Sequence, residues 1–139
     1  MSMELWIFSD KQLSSIAEWQ VAINSEGYPL RLSDEKPFDQ LKGFLPSHLR
    51  AELTGFECYH DDAAELINAN PDVKFDRKWK YVLGFRWLGS KEAELLAAWM
   101  AGTAYARATE GVVFDDQEGK FRSAAQASEV VRDIESWVK

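Results

Sequence analysis

The amino-acid sequence predicts an α+β fold, a ferredoxin-like open sandwich in which helices cover one face of a sheet. Residues 79–114 have the pattern strand, helix, strand, and residues 4–32 show the same order near the start of the chain. An irregular insertion separates these two βαβ-like halves, and an extra C-terminal helix follows the second half. Such a pattern is typical of helices packed on one side of a sheet. A doubly wound α/β fold is the alternative.

The first half begins with the short apolar run 4–8, which predicts a strand. Ser9 and Gln12 have the spacing of a capping box, so a helix is expected over residues 11–25. Residues 28–32 predict a short strand at a sheet edge, because they include a proline that cannot donate a hydrogen bond to a neighbouring strand.

The insertion, residues 33–54, has the least regular pattern in the chain. Each of its two prolines can open a helical turn, which predicts short helices over residues 38–41 and 46–53. Residues 55–59 then predict a strand. An aspartate is placed to cap a short helix over residues 63–68.

The most regular unit begins at residues 79–88, where large apolar side chains occupy the odd positions. This alternation predicts a strand with one buried face and one open face. Ser90 is a favourable N-cap for an alanine-rich helix over residues 91–109, and Gly111 is placed to end that helix. Residues 112–114 predict a short strand that is buried on both faces.

The C-terminal part contains a turn, a short strand and a helix. Acidic residues and a glycine predict the turn at residues 115–119, and residues 120–122 predict a brief returning strand. Ser123 is placed to cap the terminal helix over residues 124–138, whose apolar residues recur at helical spacing.

Length and charge limit the possible functions. A chain of 139 residues predicts one domain, residues 1–139. A net charge of −7 argues against nucleic acid and anionic membranes, which bind cationic surfaces, and is compatible with a basic protein partner. The sequence shows no signal-peptide pattern and no run long enough to span a membrane, so a cytoplasmic location is expected. One cysteine, Cys58, excludes an intramolecular disulfide.

The densest group of chemically reactive residues is Glu57, Cys58 and His60. On a strand, Cys58 and His60 point to the same face, where they form either a nucleophile with its base or the start of a zinc site. Zinc sites in folded proteins use four ligands, and the chain has one cysteine and two histidines, so no metal is expected. The alternatives are an inert buried cysteine, and a pocket in which Glu57 and His48 assist His60 as a general base.

No cofactor is expected, because the chain lacks a phosphate loop and the motifs G-x-G-x-x-G and G-x-S-x-G. The acidic run 115–119 lacks the ligand spacing of a calcium loop. Lys80 and Arg86 alternate with aromatic residues, as in some proteins that bind single-stranded nucleic acid. The aromatic residues point to the opposite face of the predicted strand, so we do not expect nucleic-acid binding.

An alanine-rich helix runs into the sequence ATEGVVFD at residues 108–115. This segment resembles the C-terminal half of small uncharacterised bacterial proteins with a GGVVFD strand, some of which are similar to immunity proteins that neutralise bacterial toxins. Glu110 stands where that pattern has its first glycine. The resemblance implies an immunity-like role and transfers no catalytic residues.

The leading hypothesis is therefore a non-enzymatic domain that binds another protein, most concretely an immunity-like protein that neutralises a basic toxin. Acidic side chains in predicted loops would speed the encounter with such a partner. The candidate binding residues are Asp61, Asp62, Asp72, Asp76, Asp115, Asp116 and Glu118. The alternative is a small enzyme or ligand-binding domain that uses Glu57 and His60. A homodimer formed through an open sheet edge is compatible with either function.

Overall fold

A computed structural model describes residues 2–138 and confirms the α+β class. Seven strands form one antiparallel sheet in the order β2-β3-β4-β5-β1-β6-β7. The strands are β1 (Ser2–Ser9), β2 (Leu30–Leu32), β3 (Lys42–Leu49), β4 (Glu52–Asp61), β5 (Tyr81–Leu88), β6 (Val112–Asp115) and β7 (Lys120–Arg122). The α-helices are α1 (Ile16–Ser25), α2 (Ala63–Ala69), α3 (Glu92–Thr109) and α4 (Ala124–Trp137). No helix in this part of the chain is both long enough and apolar enough to cross a membrane.

Every pair of neighbouring strands is antiparallel, so the alternative of a doubly wound parallel sheet is wrong. β5 and β6 both pair with β1 and therefore run parallel to each other, joined by α3 with β1 between them. β1 and β2 likewise run in the same direction and are joined by α1. Seven strands exceed the four of a ferredoxin-like βαββαβ unit.

The helix predicted over residues 46–53 is wrong, because this segment belongs to a hairpin of β3 and β4. Along β3 the buried side chains alternate with outward ones, and Leu45 and Leu49 face the core. Pro46 lies just beyond the last residue of β3 that pairs with β2, and its carbonyl accepts from the Ser33 backbone N–H at 2.9 Å. The proline therefore stands at the end of this ladder, where a missing N–H is tolerated.

Two predicted helix caps are also wrong. Helix α1 begins at Ile16, and its cap is Ser15, whose side chain accepts a hydrogen bond from the Glu18 backbone N–H at 3.0 Å. The Ser9 hydroxyl is buried and donates to the Lys11 carbonyl at 2.7 Å instead. Helix α3 has no side-chain cap, so Ser90 does not have its predicted role. The predicted caps of α2 and α4 are confirmed.

The main core lies between one sheet face and the three helices α1, α3 and α4. Helix α3 is buried around its whole circumference over residues 96–106, because it contacts the sheet and both other helices. Gly102 allows this close approach, since a Cβ atom there would lie 3.2 Å from the Ile7 side chain. The indole N–H of Trp19, which is fully buried, donates to the Ala101 carbonyl at 3.0 Å and joins α1 to α3.

The opposite sheet face is covered only in part. Helix α2 and residues 70–80 pack on a smaller apolar cluster that includes Trp6, Phe8 and Phe114. Asp10 holds this cover in place, because its carboxylate pairs with Arg77 and accepts from the Lys80 backbone N–H. The cover ends at β5, and β3 and β4 contribute no residue to the smaller cluster.

Helix α2 and residues 70–80 change the pattern of buried and exposed side chains that the sequence predicts for β5. The sequence predicts one buried and one open face, but Val82 and Gly84 on the second face are also buried. Val82 belongs to the smaller cluster, and Gly84 lies beneath the Tyr59 ring. Tyr81, predicted to face the core, is 38% exposed.

Gly111 does not end α3 through its own backbone angles, as the sequence suggested. Glu110 is the C-cap, and it has the left-handed φ of 57° that glycine usually adopts. Gly111 is required for space, because a Cβ atom there would lie 2.3 Å from the Phe8 carbonyl oxygen. The crossover from α3 to β6 therefore depends on a direct backbone approach to β1.

We expect Gly111→Ala to lower the free energy of unfolding by roughly 2 to 3 kcal/mol, since backbone must move to admit the methyl group. Glu110→Gly is the matched control next to it and should raise stability, because glycine relieves the left-handed conformation. The Lys11–Glu110 pair that this change removes is exposed and contributes little. Urea denaturation measures both variants. Equal stability of wild type and Gly111→Ala would contradict the steric interpretation.

Candidate binding surface

The uncovered part of the second sheet face is called the open face. Strand pairing places its side chains side by side, since Phe44 pairs with Glu57, Glu57 with Arg86, and Arg86 with Glu4. Its charged and large apolar members are Glu4, Arg31, Lys42, Phe44, His48, Leu53, Glu57, Tyr59, Asp61, Arg86 and Leu88. They lie on the side of the strands opposite the helices, and most are in contact with solvent.

Two aromatic rings on the open face lie against glycines of the adjacent strand. A Cβ atom at Gly84 would meet the Tyr59 ring at 2.7 Å, and one at Gly55 would meet the Phe44 ring at 2.5 Å. Each ring therefore packs on the backbone of a glycine, and a side chain at that glycine position would displace the ring. Phe44 keeps 52% of its surface exposed in this position. The open face thus presents an aromatic side chain that is already held in place.

An ion pair crosses the open face from β1 to β5. Glu4 Oε1 accepts from Arg86 Nη2 at 2.8 Å and from Arg86 Nε at 3.2 Å. The Tyr59 hydroxyl donates to the same oxygen at 3.2 Å. Burial, aided by the charge of Glu4, raises the pKa of Tyr59 to about 12, so this hydroxyl keeps its proton at neutral pH. Arg86 is therefore largely committed to Glu4.

Other carboxylates surround this pair. Partial burial, and then the negative charge of Glu4, raise the pKa of Asp61. The same two causes, together with the charge of Asp115, raise the pKa of Asp116. Like charges that disfavour one another's ionised forms indicate an excess of negative charge near Glu4. A cation brought to this region would be stabilised.

Two adjoining clefts open onto this surface, and both are lined by Glu57 and Arg86. The first has a volume of about 610 Å³ and lies between residues 39–43 and strands β4 and β5. The second has a volume of about 390 Å³ and lies where β5 leads into α3. Four carboxylates and two cations line the pair of clefts. They are Asp39, Glu57, Asp61, Glu94, Lys42 and Arg86.

The structure separates the predicted catalytic candidates. Cys58 is fully buried on the helix side of β4, and burial raises the pKa of its thiol, which favours the inert form. Glu57 and His60 line the first cleft together. His48 pairs with Leu53, seven residues before His60, so the histidines lie about 20 Å apart along the strands. A combined site of all four residues is therefore excluded by their positions.

His60 sits at the rim of the first cleft with one nitrogen occupied. Its Nε2 lies 2.8 Å from the Phe38 carbonyl oxygen, which can only accept, so Nε2 carries the proton. The Phe38 ring packs edge to face against the imidazole of His60, with 4.8 Å between the two ring centroids. These contacts fix the ring and leave Nδ1 as the nitrogen that can accept a proton.

The predicted binding acids belong to three separate segments. Asp61 lies on the open face, whereas Asp62 caps α2 by accepting from the Glu65 backbone N–H at 3.0 Å. The exposed acids of the other two segments are Asp72, Asp76, Asp116 and Glu118. Asp115 is not one of these exposed acids, contrary to the prediction. Its side chain is only 7% exposed, and its carboxylate pairs with Arg122 at 3.3 Å. It stabilises the β6–β7 turn by also accepting from two backbone N–H groups.

Sequence reasoning missed several residues of the open face. Phe44 was not a candidate, because the short helix predicted over residues 46–53 concealed the strand that carries Phe44. Glu4 and Arg86 were assigned to strands but not to each other, because their pairing depends on the strand order. An outward apolar residue on an amphipathic strand is the pattern that indicates such a surface, and Leu88 has it.

Within residues 2–138, no three histidine, cysteine, aspartate or glutamate side chains are grouped so as to hold a metal ion. No protein-family model, curated protein or solved structure matches the chain.

Proposed function

We propose that the chain is a non-enzymatic domain that binds a basic protein through the open face. The observation that carries this proposal is an uncovered sheet face on which exposed Phe44 and Leu88 lie among carboxylates. Protein interfaces commonly combine apolar anchors with a polar rim. Large apolar side chains that remain in solvent on an uncovered sheet face favour a role in association.

Charge favours a cationic occupant of the open face. The whole chain carries −7, and the open face already uses Arg86 to neutralise Glu4. A basic partner would supply the missing positive charge and would be attracted during encounter. A second copy of the chain would carry the same net charge of −7, and repulsion between the two copies disfavours self-association.

The immunity-like role is the most concrete form of this proposal. In that role the partner is a basic toxin, and the open face covers the toxin's cationic surface. The resemblance of residues 108–115 to small bacterial proteins also supports the immunity-like role. Pairing of two chains through a sheet edge is less favoured, because the outer strands β2 and β7 have only three residues each.

The test begins with capture of partners from the organism that encodes the chain, followed by purification of the captured protein. We expect a basic protein whose Kd weakens at least roughly 10-fold between 50 and 300 mM NaCl, because screening reduces charge attraction. Neutralising Glu57→Gln and Asp61→Asn together should weaken binding by about 5- to 10-fold. The double change Glu129→Gln and Asp133→Asn removes the same charge from exposed positions on α4 and is the matched control.

Equal loss of affinity in both double variants, or an affinity that does not depend on salt, would contradict binding through the open face. The immunity-like role also predicts an effect on cell growth. The purified partner should arrest growth when it is expressed alone, and co-expression of the chain should restore growth. A basic partner that is harmless to the cell would retain the binding proposal and remove the immunity-like role.

A small-ligand or enzymatic function of the first cleft is the second candidate. It is favoured by the shared position of Glu57 and His60 in one cleft of about 610 Å³, with the imidazole held by Phe38. His60 would then act as a general base through Nδ1.

A thermal-shift screen with small molecules tests this second candidate. We expect an active compound to raise the Tm of wild type and to lose its effect on His60→Gln. Glutamine can still donate to the Phe38 carbonyl, so the variant removes the base while keeping the local contact. The absence of any compound with this behaviour would leave the first cleft without a catalytic role.

A further inference from the structure

We propose that the second cleft is the anchor pocket of this interface and takes an arginine side chain of the basic partner. This inference rests on the proposed function, because it assigns the partner's contact to one place on the open face. The cleft has a volume of about 390 Å³, and the residues that line it include Phe44, Glu57, Arg86, Leu88 and Glu94. Two kinds of contact in this cleft suit arginine.

The apolar lining suits the stem and the plane of an arginine. Phe44 and Leu88 are 52% and 48% exposed, so both offer apolar surface to an incoming side chain. The aliphatic part of arginine buries readily on such surface. Its flat guanidinium also stacks on an aromatic ring, and the Phe44 ring is already held against Gly55.

Two carboxylates complete the recognition of charge. Glu94 is held in position because its Oε1 accepts from the Leu88 backbone N–H at 3.1 Å. Within residues 2–138, neither Glu57 nor Glu94 forms an ion pair, and the cation beside them, Arg86, is bound to Glu4. A guanidinium has five N–H donors and can serve both carboxylates at once.

Arginine fits this cleft better than the alternatives do. Lysine carries a compact, strongly hydrated ammonium that cannot stack on Phe44 as a plane. Lys42 and Arg86 both line the first cleft, whereas Arg86 is the one cation among the described residues that line the second cleft, and Glu4 holds it. The second cleft also combines the carboxylates of Glu57 and Glu94 with exposed apolar surface from Phe44 and Leu88.

The test is an NMR titration of the whole chain with N-acetyl-arginine amide and with its uncharged isostere, N-acetyl-citrulline amide. We expect saturable shifts of the Phe44, Glu57 and Leu88 amides, with a Kd in the millimolar range for so small a ligand. Citrulline amide should bind at least about 10-fold more weakly, since it lacks the charge.

Conservative variants assign the contacts. Phe44→Leu keeps an apolar side chain and removes the ring, and Glu57→Gln removes one exposed charge, so neither change threatens folding. Each should weaken arginine amide by roughly 3- to 10-fold. Asp39→Asn changes a carboxylate of the first cleft only and is the matched control. Equal shifts from citrulline amide, shifts centred on Asp39, or no shift at all would overturn the assignment.

The same variants separate this inference from the proposed function. If the purified basic partner binds wild type, Phe44→Leu and Glu57→Gln equally, the pocket is wrong and binding of a basic protein stands. If arginine amide occupies the pocket as expected but no basic protein binds the chain, the pocket stands and the proposed function fails. Weaker binding of both ligands by both variants supports the two together.

Discussion

The contact between helix α3 and strand β1 determines how the rest of the sheet is covered. Gly102 brings α3 close to Ile7, and α1 and α4 then pack on either side of α3. Three of the four helices are therefore used on one face of the sheet. The short helix α2 and residues 70–80 remain for the other face, and they reach only as far as β5. The open face exists because the chain has too little helix to cover both sides.

The open face is organised before any partner arrives. Tyr59 and Phe44 rest on glycines, and Arg86 is held by Glu4 across the strands. Side chains that are already ordered lose little conformational freedom on binding, which favours affinity. Four carboxylates line the two clefts of the open face, where the cations are Lys42 and Arg86. Exposed apolar side chains beside this local excess of carboxylates are complementary to a basic protein.

Much of the fold could be predicted from periodicity alone. The helices α3 and α4 and the strands β5 and β6 have clear patterns, since each is long or strongly apolar. Strand β3 was missed because Pro46 and an irregular alternation imitate the start of a helix. The late start of α1 was missed because Ser9 and Ser15 both have the chemistry of a cap, and burial of Ser9 decides between them.

The surface was harder to predict, because it depends on strand order and on what is left uncovered. Glu4 and Arg86 are distant in sequence and meet only because β1 inserts between β5 and β6. Cys58 is fully buried, as one of the alternatives for this residue predicted, since strand alternation directs it into the core. The burial of Asp115 could not be predicted, because its partner Arg122 lies on a strand that returns beside it.

Carboxylate footprinting of the chain, alone and in complex with its basic partner, tests the role of the open face most directly. The exposed acids are labelled with a carbodiimide and glycine amide, and mass spectrometry measures the modification at each residue. We expect the complex to protect Glu57, Asp61 and Glu94, while Glu129 and Asp133 on α4 react as before. Protection confined to α4, or to the outer strands of the sheet, would show that the partner binds elsewhere.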